Sequence, residues 1–206
     1  MASNMIRGNY EDIISSAENI RNDAKNLNLE FTNSFKNIAD MHNNWHGEFY
    51  KKIATKFADI VQPINTILDV VVEKMPYNIE AAGKNYKGAD TGDSSSIKEE
   101  TAEHVGLEIP TDKPGDFYID FSAVDAIRKK VIESLGNAKN NISNINNTVA
   151  GLDWEGDAAE KNKSDFSTSK DKITTSIEDI NSTFESIVLE GVKRFEEAES
   201  SNKAKM

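Results

Sequence analysis

The side chains best suited to chemistry are the histidines, because an imidazole can bind a metal or move a proton near neutral pH. There are three, His42, His46 and His104. His42 and His46 stand four residues apart, the spacing of two ligands on one helical face. Trp45 and Gly47 predict that the helix ends between them, so they read as surface histidines beside a turn, with no metal site. The chain has no cysteine, which excludes disulfides, thiolate metal sites and cysteine nucleophiles together. Gly-x-Ser-x-Gly, Walker-type and His-Glu-x-x-His patterns are missing from the sequence. The stretch from Gly151 to Gly156 contains glycine but follows no predicted strand, so it predicts no phosphate cradle. The acids spread over helix faces as solvating charge. The sequence therefore predicts a non-enzymatic protein with no catalytic residue and no cofactor.

Charge narrows the partners. The 206 residues carry 35 Asp and Glu against 24 Lys and Arg, a formal net charge of −11. That balance repels nucleic acid and anionic lipid surfaces alike. The longest apolar runs are three residues long, Val70-Val71-Val72 among them, far too short to span a bilayer, so no stable membrane insertion is expected. Met1 to Asp12 lack the apolar core of a cleaved secretory signal. Any export would have to proceed without one.

The elements are legible from apolar spacing. Ile13, Ala17, Ile20, Ala24, Leu27, Phe31, Phe35, Ile38 and Met41 step by threes and fours, which predicts an amphipathic helix ending at Asn43-Asn44. A second stripe runs from Phe49 through Ile53, Phe57, Ile60, Ile64, Leu68, Val71, Met75, Ile79 and Ala82 to Tyr86. Pro63 and Pro76 should kink or locally break that helix. Residues 87–120 carry Gly, Ser, Pro and acids without a period, and predict a flexible linker with one helical turn near Ile97 to His104. A third stripe, Val124 to Leu152, and a fourth, Phe166 to Phe195, repeat the scheme around Trp154. Asp157 and Glu160 form an Asp-x-x-Glu start that can cap the fourth helix. Residues 200–206 are small and polar and predict a disordered tail.

The halves are duplicates. Trp154 follows Trp45 by 109 positions, and Phe195 follows Tyr86 by the same 109. The first helices of the halves need a further one-residue shift. Both tryptophans have glycine two positions later, at Gly47 and Gly156. Glycine tolerates the positive φ that reverses a chain between helices, and an indole can cover the open end of the pair. The predicted fold is all-α, as two antiparallel helical hairpins, 1–86 and 121–199, packed as an elongated four-helix bundle.

In these features the chain resembles the Trp-x-Gly (WXG) superfamily, the early-secreted-antigen-like proteins exported by type VII secretion systems. Members of that family are single helical hairpins with Trp-x-Gly at the turn, and they pair into four-helix bundles. Many carry a Tyr-x-x-x-Asp/Glu export signal at or beyond the end of the second helix. Tyr86 and Asp90 match that signal here; Phe195 and Glu199 match it with Phe in place of Tyr. A tandem chain departs from the single-hairpin pattern. The resemblance implies a secreted substrate or adaptor, read by a secretion-system ATPase and paired with an effector or another WXG protein. The runner-up expectation is a cytoplasmic helical scaffold or chaperone-like partner, in which both turns are purely structural.

Tyr86 and Phe195 each lie 41 residues after their tryptophan, a helical span of about 60 Å. Antiparallel hairpins would bring Trp154 to the Tyr86 end, and the linker would then travel about 60 Å back. A domain-swapped homodimer meets the same constraint.

Overall fold

A computed structural model describes residues 6–113 and 115–205. Residues 1–5 of the expected first hairpin, Pro114 of the expected linker and Met206 of the expected tail lie outside them. The chain is all-α, with strands of only two residues. Strand β1 (Arg7–Gly8) precedes α1 (Tyr10–Asp40), and a 3-10 turn over Met41–Asn43 leads to β2 (Trp45–His46) and α2 (Glu48–Leu68). A π-helical stretch, Asp69–Lys74, joins α2 to α3 (Met75–Thr91). Beyond a non-helical strap, β3 (Tyr118–Ile119) precedes α4 (Phe121–Ala150), and β4 (Trp154–Glu155) precedes α5 (Asp157–Lys203). No helix among the described residues is long and apolar enough to cross a membrane.

Local chemistry sets the helix starts. Asn9 caps α1, its side-chain oxygen accepting from the Glu11 amide at 3.0 Å, and Asp120 caps α4 by accepting from the Ala123 amide at 3.0 Å. These caps lie 111 positions apart while the tryptophans lie 109 apart. The halves therefore differ by two residues before their tryptophans, where the sequence predicted a one-residue shift. The expected Asp157–Glu160 cap also needs correction. Gly156 is the residue before the helix and Asp157 is its first residue, where an acid complements the positive end of the helix dipole.

The prolines behave differently from each other. Helix α2 runs unbroken through Pro63, which is exposed, so the expected break is absent there. Pro76 opens α3 directly after the π-helical stretch. Its missing N–H cannot make the α-helical bond to the Val72 carbonyl, and the wider turns of the stretch before it take up the mismatch.

Helix α1 packs on α3 and α4, and α5 packs on α4 and α2. Directions follow from cross-helix pairs. Arg128 meets Glu185 at 3.2 Å while Lys139 meets Glu178 at 3.0 Å, so α4 and α5 run antiparallel. The Phe57 ring meets Phe184 at 5.6 Å and Arg194 lies 5.3 Å from the Phe49 ring, so α2 and α5 are antiparallel too. The stripe from Ile13 to Met41 is buried along its whole length, and so are Phe166, Ile173, Ile177, Ile180, Phe184 and Val188 of the fourth.

The strap differs most from expectation. Helix α3 continues to Thr91, residues 97–104 form no helix, and α5 runs to Lys203 into the expected tail. Where composition predicts a flexible linker, polar side chains hold the strap's backbone as a sheet ladder would. The Asn28 amide donates to the Glu103 carbonyl and accepts from the Glu103 N–H, both at 2.7 Å. Asn65 makes the same two-way pair with Val105 at 2.9 and 2.8 Å. Glu73 accepts from the Ala102 amide at 2.9 Å, and Ala102 and Val105 are buried. Arg21, 2% exposed, pairs with Glu18 and Glu80 and donates to the Lys98 carbonyl at 3.4 Å. Burial pushes the Glu80 carboxyl up, but hydrogen bonds from Lys84, Arg21 and the Lys98 amide outweigh it and hold the group below the ordinary range.

Candidate functional site

The sequence marks two Trp-x-Gly corners, and both are built alike. Strand β2 pairs antiparallel with β3, setting Trp45 opposite Ile119, and β4 pairs antiparallel with β1, setting Trp154 opposite Gly8. Each corner is thus stitched to the segment entering the other half's first helix. The Asn9 N–H donates to the Asp153 carbonyl at 3.3 Å, and the Asp120 N–H donates to the Asn44 carbonyl at 2.9 Å. Gly47 has φ 109° and ψ −172°, and Gly156 has φ 120° and ψ 171°. Side chains with a Cβ rarely enter that region, which accounts for glycine two positions after each tryptophan.

Both indoles are fully buried. Trp45 lies on the backbone of α5, where a Cβ built on Gly191 would fall 2.4 Å from its ring. The Trp154 ring meets Tyr86 edge-on at 6.4 Å, and its N–H donates to the Tyr86 hydroxyl at 3.4 Å. The residue corresponding to Tyr86 in the other half is Phe195, which has no hydroxyl, and the Trp45 N–H has no hydrogen-bond partner among the described residues. Phe195 stacks instead on the exposed Phe117 at 5.7 Å. Tyr86 and Phe195 are half-buried, whereas Asp90 and Glu199 are exposed. The structure brings Trp154 and Tyr86 together, with Asp90 one helical turn further along α3.

One cluster escaped the sequence. His42 and His46 flank the first corner, and the strap carries Asp112 to them from across the chain. His42 Nε2 lies 2.8 Å from Asp112 Oδ1 and 3.3 Å from His46 Nδ1; His46 Nδ1 lies 3.7 Å from the same oxygen. The other carboxylate oxygen accepts from the Gly47 amide at 2.9 Å. The Gly47 N–H, with His42 beside it, holds the Asp112 carboxyl below its usual range. Only the histidine pair left a trace in the sequence, since no local pattern announces an aspartate arriving from residue 112. His104 sits apart, paired with Asp69 at 2.7 Å.

No protein-family model matches the chain, and neither a curated protein nor a solved structure does.

Proposed function

We propose that the chain is a tandem Trp-x-Gly protein, two antiparallel hairpins packed as an elongated four-helix bundle, that serves a type VII secretion system as exported substrate or adaptor. On this reading it is not an enzyme, leaves the cell without a cleaved signal, and is recognised by the secretion ATPase. Its further partner is an effector or another WXG protein. The observation that carries the reading is the Trp154–Tyr86 contact, 3.4 Å from indole nitrogen to hydroxyl. It merges one corner with the end bearing the export pattern, leaving Asp90 exposed beside it.

The same contact favours a second reading. A Tyr86 hydroxyl occupied by an indole already has a structural task, as it would in a cytoplasmic helical scaffold. Asp90 separates the two, because it is exposed and a structural account asks nothing of it. Asp90→Ala is expected to disappear from culture supernatant while keeping the parent's melting midpoint. Normal export of Asp90→Ala would remove the signal assignment. Tyr86→Ala is a poorer probe, since it also strips the partner of Trp154.

A further inference from the structure

The two corners build the same reversal from different material. Between the last buried residue of each half's first apolar stripe and its tryptophan, the first half has His42, Asn43 and Asn44 after Met41, while the second has only Asp153 after Leu152. Thus His42 falls in the stretch that is longer by two residues, and Glu155 stands where His46 would be. Trp154 is buried and Gly156 adopts its positive φ with no histidine nearby in sequence. The histidines are therefore not needed to make a corner.

Their nitrogens nevertheless converge on one oxygen. The three separations, 3.3, 2.8 and 3.7 Å, define a triangle whose equidistant point lies about 1.9 Å from each atom. An ion slightly above that plane reaches all three at the roughly 2.0–2.2 Å typical of zinc with imidazole and carboxylate. All three residues are partly exposed, and His42 also lines an open groove under the strap with Ala39, Tyr50 and Leu107. That opening leaves room for water as a further ligand. Nitrogen-rich sites of this kind suit zinc, cobalt and nickel, and a lone carboxylate makes a poor calcium or magnesium site.

We propose that His42 Nε2, His46 Nδ1 and Asp112 Oδ1 bind one divalent transition-metal ion of the zinc type, fastening the strap to the first Trp-x-Gly corner. The site does not depend on the chain being exported. The test uses the full chain without a histidine tag, titrated with cobalt(II) and then zinc(II). One cobalt ion should bind per chain with a visible ligand-field band, and zinc should displace it and raise the melting midpoint. His42→Ala and His46→Ala should each weaken binding roughly 100-fold, and Asp112→Asn at least tenfold. X-ray absorption of the zinc-loaded parent chain should show two imidazole ligands, a readout that needs no variant to fold. Binding unchanged by either histidine substitution, or a spectrum with fewer than two imidazoles, would overturn the site. A failure here leaves the secretion reading untouched.

Discussion

Trp45→Ala should lower stability by about 3–5 kcal/mol, the loss expected from truncating a fully buried large aromatic side chain. The indole is fully buried and wedged between the first corner and α5. Its removal opens a void at a junction where β2, β3 and α5 meet, and glycine at 191 cannot fill it. Urea unfolding followed by circular dichroism measures the loss. A compensating substitution shows that the contact is the cause. Adding a methyl group at a helical glycine normally stabilises by about 1 kcal/mol. At Gly191 the new Cβ would sit 2.4 Å from Trp45, so Gly191→Ala should destabilise the parent chain. In the Trp45→Ala background the same substitution should become neutral or stabilising. Simple additivity of the two changes would disprove the packing assigned here.

Arg21→Ala should cost about 3 kcal/mol, for an electrostatic reason. Arg21 joins α1 to Glu80 of α3 and to the strap at Lys98, and Lys25 and Lys98 hold Glu100 at 2.9 and 3.5 Å beside it. Without the guanidinium, the buried Glu80 carboxylate keeps Lys84 and the Lys98 amide as its partners among the described residues. The loss should therefore fall at the low end of what a broken buried pair costs. The pH dependence has a definite sign. Glu80 is held below its ordinary value of 4.5, so its contribution is complete above that pH and is lost as pH falls through the lowered value. Because Arg21 is one cause of the lowering, the acid-unfolding midpoint of Arg21→Ala should move to higher pH. Melting curves across the acid range measure it. An unshifted midpoint would show that Arg21 does not stabilise the ionised form.

The apolar stripes carried the helices because burial on a helix repeats every three or four residues, as Ile13 to Met41 does. The duplication was visible in the 109-residue offset of both Trp-x-Gly turns, and positive φ at Gly47 and Gly156 matches the role expected of glycine there. The strap was not legible, because its order comes from Asn28, Asn65, Glu73 and Glu80, polar residues that read as solvent-facing on their helices. A side-chain amide meeting a backbone 75 positions away leaves no periodic signal. Tyr50 was missed for a similar reason. It is buried between the stripe positions, its hydroxyl donating to the Ile38 carbonyl at 2.9 Å. Asp112 was hidden inside a segment whose composition reads as linker. Of the candidate site, the glycines and tryptophans were apparent from residue type, while the Trp154–Tyr86 contact depended on how the halves lie together.

The proposed function requires that a secretion ATPase recognise this chain. The most direct measurement is its distribution between lysate and culture supernatant in the source strain and in a derivative lacking that ATPase. The chain should be in the supernatant of the first and retained in the cells of the second. Equal supernatant levels in both strains, or confinement to the lysate in both, would contradict it.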